Sequence, residues 1–332
     1  AFIEDRTKLM VVDLKTKKVR QVADDKYQYH TGDGFTYTWS PDGKWFAMEI
    51  IGNRHDPYSD IAIVSTDGKG EVINLTNSGY FDSNPRWVLD GNAILFSSER
   101  YGMRNHASWG SLQDVMIVFM NQDAYDKFRL NKEDYELLKE EEKRIASLKN
   151  KEQKKDQEDK KGETTSATKE KKNIEVELRG IEDRVMRLTP NSSELGDAIL
   201  SKSGDKLYYM ASFEGGMDLW VSDLRSRSTK VMHKLNSDWA SLEMDKDGKD
   251  LFLLGGRSMQ KINLASERRS PITYSAEMEL DQAAERAYMF DRVRRQEAKR
   301  FYEKNMHGVD WVKMTKAYEK SLPYINNNYD FS

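Results

Sequence analysis

The chain has 332 residues, with 53 Lys and Arg against 56 Asp and Glu, a net charge of −3. That balance argues against nucleic acid as a partner, because phosphate binding needs a basic surface. There is no Cys, which excludes disulfides, thiolate metal sites and Cys nucleophiles, and no apolar run approaches the ~18 residues of a membrane span.

Charged residues make up 33% of the chain, above the ~25% of ordinary domains. Much of the excess is local: 131–172 holds 13 basic and 12 acidic residues. The rest of the chain has a composition that can close around an apolar core.

In chain order, residues 8–23 (KLMVVDLKTKKVRQVA) come first and read as two outer strands of a β-sheet. Four mutually similar segments follow, at 37–50 (YTWSPDGKWFAMEI), 85–98 (PRWVLDGNAILFSS), 198–211 (AILSKSGDKLYYMA) and 241–255 (SLEMDKDGKDLFLLG). Each is a short apolar strand, a polar turn ending in Gly43, Gly91, Gly204 or Gly248, and a second apolar strand. Asp-Gly between β-rich runs predicts a hairpin, since Gly takes positive φ without a Cβ clash. A third strand opens near Asp60, Asp114 and Asp218, and a fourth ends as INLT, RLT or TKVM. Four strands per repeat is one blade of a β-propeller, and the 48 residues from Gly43 to Gly91 match a blade period of ~40–50.

The 113 residues from Gly91 to Gly204 exceed that period. The excess predicts an insertion at 122–182, between the third and fourth strands of one blade. Within it 132–150 reads as a helix, with Tyr135, Leu138, Ile145 and Leu148 on one face. Residues 151–172 lack aromatic and large aliphatic side chains and are expected to be disordered. The last repeat adds outer strands near 260–264 and 270–274. The fold expected is therefore mainly β: a partial propeller of about four and a half four-stranded blades over 1–275.

Beyond Ala276 the apolar period changes. Leu280, Ala284, Ala287, Phe290 and Val293 recur at helical spacing, with Asp281 suited to the N-cap and an end near Asn305. A second helix starts after Asp310, carries Trp311, Met314, Tyr318 and Leu322 on one face, and stops at Pro323. Residues 276–332 thus form an α-helical unit too small to bury a core alone.

The blade repeats, WSPDGKWFAM foremost, resemble TolB-type propeller repeats. The stretch 284–325, centred on Met306-His307-Gly308-Val309-Asp310-Trp311 with Tyr318 seven residues later, resembles the helical start of the catalytic part of tricorn-type proteases. These are relatives of the carboxyl-terminal-processing (tail-specific) serine peptidases. The resemblance implies a peptidase acting on peptides or unfolded proteins, in which a Ser nucleophile works with a His base, a second Ser and a Glu, beside a PDZ domain. Those motifs lie downstream of these helices in the family. No catalytic residue is therefore assigned, neither Ser332 nor His307, and the chain is expected to be a piece of a longer polypeptide, inactive by itself.

None of His30, His55, His106, His233 and His307 stands at metal-ligand spacing, and no Walker, dinucleotide or G-x-S-x-G motif occurs, so neither metal nor cofactor is expected. Asp245, Asp247 and Asp250 lack the bidentate Glu of a calcium loop and read as a turn. Trp39 and Trp87 share one repeat position, which predicts packing between blades. Loops between second and third strands leave the blades unaffected when they vary. On that ground Arg54, His55, Arg100, Arg104 and His106 are the candidate residues for gripping a peptide carboxylate.

The expected function is the non-catalytic propeller of a tricorn-like serine peptidase, gating or binding peptides for a site elsewhere. Its partners would be peptide or unfolded-protein substrates, the rest of its own polypeptide (remaining propeller, PDZ and catalytic domains) and further copies of itself. A non-enzymatic TolB-like protein-binding propeller accounts for the repeats but not for the helical tail. The compartment expected is the bacterial periplasm or cell envelope, or the cytoplasm, since a Cys-free chain suits either.

Overall fold

Alternating side chains in a strand point to opposite faces, so a strand apolar on both faces must be covered on both. That is the situation of the second and third strands here. A computed structural model describes residues 1–5, 7–28, 35–52, 57–104, 110–158, 173–255 and 258–332. Two compact units divide the chain, Ala1–Ile272 and Thr273–Ser332.

The first unit is a stack of five antiparallel sheets, each hydrogen-bonded in chain order. The first sheet has three strands, β1 (Phe2–Glu4), β2 (Lys8–Val12) and β3 (Val19–Ala23). The second comprises β4 (Tyr37–Trp39), β5 (Trp45–Ile50), β6 (Asp60–Ser65) and β7 (Ile73–Asn74). The third comprises β8 (Asp82–Val88), β9 (Ala93–Ser98), β10 (Asp114–Phe119) and β11 (Val185–Arg187). The fourth holds β12 (Glu194–Leu200), β13 (Lys206–Ser212), β14 (Met217–Asp223) and β15 (Ser228–Ser237). The fifth holds β16 (Ser241–Met244), β17 (Asp250–Gly255), β18 (Ser258–Asn263) and β19 (Arg268–Ile272). Four-stranded meanders stacked face to face are propeller blades. The leading sheet has one strand more than the two read from 8–23: Phe2–Glu4 pairs with β2, and three residues are too few to show a period.

The core lies between blades, and residue parity assigns each side chain to one gap. Ala93 and Leu95 of β9 pack with Leu207, Tyr209 and Ala211 of the fourth sheet. Their neighbours Ile94 and Phe96 pack with Ala47, Ile61 and Ile63 of the second. In the same way Phe46 and Met48 face Leu9 and Val11, while Tyr208 and Met210 face Leu242, Leu251 and Leu253. Most of these side chains are fully buried, each worth about 1.5–3 kcal/mol of transfer free energy. Trp87 joins the gap between second and third sheets. Trp39, at the equivalent position, is 44% exposed and rests on Phe46 of its own sheet, with ring centroids 4.3 Å apart.

The hairpin glycines all have positive φ: +75° at Gly43, +91° at Gly91, +74° at Gly204 and +71° at Gly248. The aspartates opening the third strands are brackets rather than free acids. Asp60 accepts hydrogen bonds from Asn74 Nδ2 (2.8 Å) and the Ser78 amide (2.7 Å). Fully buried Asp114 accepts from Arg187 Nε (2.9 Å), Thr189 Oγ1 (2.7 Å) and Ser192 Oγ (2.7 Å). Each carboxylate thus ties the start of a third strand to the end of the fourth.

The insertion leaves the third sheet between β10 and β11. It opens with a helix that the periodicity did not indicate, α1 (Gln122–Arg129), N-capped by Asn121, whose Oδ1 accepts from the Ala124 amide. Helix α2 (Lys132–Glu158) follows and runs on through 151–158, into the stretch expected to be disordered. Lys, Glu and Gln are good helix formers, so a started helix continues through them at little cost. The rest of that stretch, 159–172, lies outside the described residues. Arg225, nearly buried, pins both helices to the fourth sheet. It pairs with Asp205 (3.2 Å), donates to the carbonyls of Phe128 and Leu130 (3.0 Å to the latter), and lies 3.9 Å from the Tyr135 ring centroid.

The second unit contains α3 (Gln282–Arg300), α4 (Trp311–Glu319) and the short α5 (Asn328–Phe331). Asp281 and Asp310 cap α3 and α4, accepting from the amides of Ala284 and Lys313. Helix α3 stops before the expected end near Asn305, with Phe301 as its C-cap. Trp311 Nε1 donates to the Arg294 carbonyl (3.1 Å), holding the start of α4 on α3. Among the described residues no helix is long and apolar enough to cross a membrane.

Candidate functional site

The first strand of each complete blade borders a groove of about 840 Å3, with lining residues from β4, β8, β12 and β16 and from the turns after them. That size lies towards the top of the ~300–1,000 Å3 range of ligand pockets. The repeat explains what reaches it. The residue five places before each turn glycine is Thr38, Arg86, Ile199 or Glu243, and all four line the groove. Two places earlier come Thr36, Asn84 and Asp197, which line it too.

β-Bulges re-aim side chains next to sites, and two of the four lining strands carry one at a similar place. The pairing of β8 with β9 shifts between Ser83 and Arg86, and that of β12 with β13 between Leu195 and Ala198. Gly196 occupies the second bulge because a Cβ there would lie 3.0 Å from both Met210 Cβ and Met217 Sδ.

Arg86 and Asp197 then meet across two blades and grip a third. Arg86 lies 3.3 Å from Asp197 and 3.8 Å from Glu243. It also donates to the Leu242 carbonyl at 3.0 Å, while Asp197 Oδ2 accepts from the Leu242 amide at 2.8 Å. Both sides of the Leu242 backbone are thus satisfied by a side-chain pair that spans the groove wall. Near the same wall, burial pushes the Glu49 carboxyl above its ordinary range, against the opposing pull of the Asn84 amide (2.6 Å) and the Thr36 hydroxyl. Trp239, 55% exposed, offers an aromatic face to the groove.

The residues expected to bind a carboxylate are placed differently. Arg54, His55 and His106 lie outside the described residues. Arg100 and Arg104 are not in the groove lining. Arg104 stacks over the Tyr80 ring, 4.9 Å from its centroid. The Arg100 charge faces Asp82, whose carboxyl is raised by burial and held back by the hydroxyls of Ser98, Ser78 and Thr76 and by Arg100. Sequence reasoning missed Arg86 and Asp197; the usable signal was a charged residue at an inner-strand position of the repeat.

Other candidate groups are accounted for locally. Asp245 accepts from the amides of Lys249 (2.6 Å) and Asp250 (2.8 Å), and Asp250 pairs with Lys261 (3.1 Å), as a hairpin turn requires. Among the described residues no group of three or more His, Asp or Glu is placed to hold a metal ion. His307 hydrogen-bonds through Nε2 to the Tyr302 hydroxyl within the second unit.

Stacked four-stranded meanders around a groove, followed by a separate helical unit, define a β-propeller segment joined to an α-helical segment. Residues 282–332 match the family model described as the tricorn protease C1 domain. The fold of the chain is similar to that of the tricorn protease crystal structure, with a TM-score of 0.64 and 12% identity, covering 98% of this chain and 30% of that one. The chain therefore spans less than a third of the tricorn structure it matches. TolB from Acinetobacter baumannii gives a TM-score of 0.47 at 14% identity, over 83% of this chain and 51% of that one. A comparison with curated proteins finds no match. The tricorn resemblance thus holds for the helical tail by sequence and for the chain as a whole by fold.

Proposed function

We propose that this chain is the substrate-handling propeller segment of a tricorn-like serine peptidase, joined to the opening helices of its catalytic part. The observation that carries the proposal is the groove between the inner strands together with the C1 match at 282–332. The groove wall mixes one Arg and two Lys with four carboxylates, those of Asp90, Asp197, Glu243 and Asp245. Such a nearly neutral polar wall suits an extended peptide backbone better than a strongly charged ligand. The inner strands and the bulge at Asn84 and Asp197 supply hydrogen-bonding groups, and Trp239 supplies a surface for an apolar side chain.

In this reading the chemistry, Ser attack on a peptide carbonyl with an oxyanion hole, belongs to residues beyond this segment. The segment would admit peptides that fit the groove and exclude folded proteins by size.

The test is binding of fluorescently labelled extended peptides to the 332-residue protein, followed by anisotropy and by tryptophan emission, with Trp239→Phe identifying the part that comes from Trp239 among seven tryptophans. Binding should occur without cleavage, and Thr38→Trp, which fills the groove from β4, should weaken it at least tenfold. Equal binding by wild type and Thr38→Trp would remove the groove from the reading. Serine-probe labelling and peptide hydrolysis by residues 1–332 alone would place a nucleophile within the chain and overturn it.

A further inference from the structure

Helix α2 is long, and its two faces differ. One face is committed to the propeller. Tyr135 is buried and donates to the Ser203 carbonyl (2.9 Å), Lys139 pairs with Asp205 (3.2 Å), and Glu142 pairs with Lys127 of α1 (2.6 Å). The other face carries Leu137, Glu141, Arg144 and Leu148, all exposed, so Leu148 does not share the face of Tyr135 that the apolar spacing predicts for it; Leu137 is 64% and Leu148 52% accessible. Among the described residues neither Glu141 nor Arg144 has an ion-pair partner.

The spacing of these four is four, three, four, which is a heptad-type stripe. It also reads as its own complement when reversed. If a second α2 is laid antiparallel with the dyad between Glu142 and Lys143, Leu137 meets Leu148 and Glu141 meets Arg144, twice each. A parallel pairing would instead set Glu141 on Glu141 and Arg144 on Arg144, which costs energy.

We infer that this face of α2 is a self-association surface, on which a second copy of the chain docks its own α2 antiparallel in a two-fold symmetric pair. The contact is isologous, so one stripe serves both partners. From Leu137 to Leu148 it is about 16 Å long at ~1.5 Å per residue. That is short for a stable interface of ~1,200 Å2 or more, so the association is reversible and depends on concentration. Anchoring of the opposite face by Tyr135 and Lys139 pre-orders the helix and lowers the entropy cost of pairing. The inference stands apart from the peptidase reading, since it uses none of the groove residues.

Sedimentation of the 332-residue protein from a few to ~200 micromolar should show a monomer–dimer equilibrium. Glu141→Arg alone and Arg144→Glu alone each create like-charge pairs across the seam and should weaken dimerisation at least fivefold. The double variant Glu141→Arg/Arg144→Glu restores both pairs and should return the dissociation constant to within about twofold of wild type. All these residues are exposed, so the circular dichroism should not change. The chain has no Cys, which permits a direct register test. Leu137→Cys/Leu148→Cys should form an interchain disulfide under mild oxidation, whereas Leu148→Cys alone should not. A wild-type protein that stays monomeric throughout, a double variant no better than the single ones, or equally efficient cross-linking by Leu148→Cys alone would each overturn the inference.

Discussion

Asp114 offers a quantitative test of how the blades are held. Its carboxylate is fully buried and uses both oxygens: Oδ1 takes Arg187 and Thr189, and Oδ2 takes Ser192. Thr189 Oγ1 in turn accepts from the Val115 amide at 3.2 Å, so the carboxylate also orders that hydroxyl. Asp114→Ala strands the Thr189 and Ser192 hydroxyls and takes the carboxylate from Arg187, an exposed residue that keeps its hydrogen bond to Ser192 (3.1 Å). Water reaches the Arg187 guanidinium, so the loss is that of the hydrogen bonds to a buried carboxylate, about 2–4 kcal/mol. Asp218 holds the same repeat position but does less. Its Oδ1 accepts only the amides of Leu235 (2.7 Å) and Asn236 (2.9 Å), without a cation. Asp218→Ala should cost about 1–2 kcal/mol. Asp114→Asn separates charge from hydrogen bonding: the amide oxygen keeps Arg187 and Thr189, and the Ser192 hydroxyl turns to accept, so a loss of about 2 kcal/mol is expected. Stacked sheets need not unfold in one step, so amide exchange of β10 and β11 should be followed beside urea unfolding. An Asp114→Ala protein as stable as Asp218→Ala would refute the argument that these brackets scale with burial and charge.

Three other outcomes follow from particular contacts. Arg225→Ala should cost about 2–3 kcal/mol and speed amide exchange in α1 and the first turns of α2, with β13 and β14 little affected, because its hydrogen bonds and ring contact join insertion to blade; unchanged exchange in α1 would contradict this. Glu49→Gln keeps an acceptor for the Asn84 amide but removes a charge whose folded pKa is raised by burial, so the wild-type contribution is fullest below the ordinary carboxylate range and is lost as pH rises through the raised value; the variant should gain on the wild type above that window and not below it, as melting temperatures across pH would show. Gly43→Ala meets nothing within 4 Å and should cost only the strain of φ +75°, about 1–2 kcal/mol, whereas a Cβ at Gly91 would lie 2.3 Å from Ile174 Cδ1 and should cost at least ~1 kcal/mol more by urea titration.

The blades were legible because their signals are local. Two apolar runs around a turn glycine specify a hairpin within about fifteen residues, and the aspartate opening the third strand repeats with them. Elements without a period were missed or clipped. β1 is three residues long, α1 is eight residues of largely polar sequence, and α2 outran its apolar stripe because mixed Lys and Glu sustain a helix without one. The groove was legible only in part. Arg86 and Asp197 are 111 residues apart, and Arg86 and Leu242 156 apart, so no local pattern joins them. Rim-loop arginines drew attention because loops are permissive, yet Arg104 spends its guanidinium on Tyr80.

The lock at the groove wall bears on how a peptide would be held. Arg86 is 30% and Asp197 21% exposed at the side chain, and between them they satisfy the Leu242 amide and carbonyl. A ligand that displaced Arg86 would leave the Leu242 carbonyl without that donor, at a cost of about 1–3 kcal/mol, and would take the cation from Asp197, which keeps only the amides of Leu242 and Ala198. A ligand lying beside the lock loses nothing. The groove is therefore pre-formed by its own side chains. Residues of both parities in β9 and β13 are spent between blades, and the inner strands divide theirs between the blade core, as at Trp87 and Leu242, and the groove. Those positions differ from blade to blade, Thr38, Arg86, Ile199 and Glu243, although the turns beside them are alike. Four dissimilar side chains on one repeated scaffold give the groove distinct walls, which is what a site needs in order to fix the direction of an extended chain.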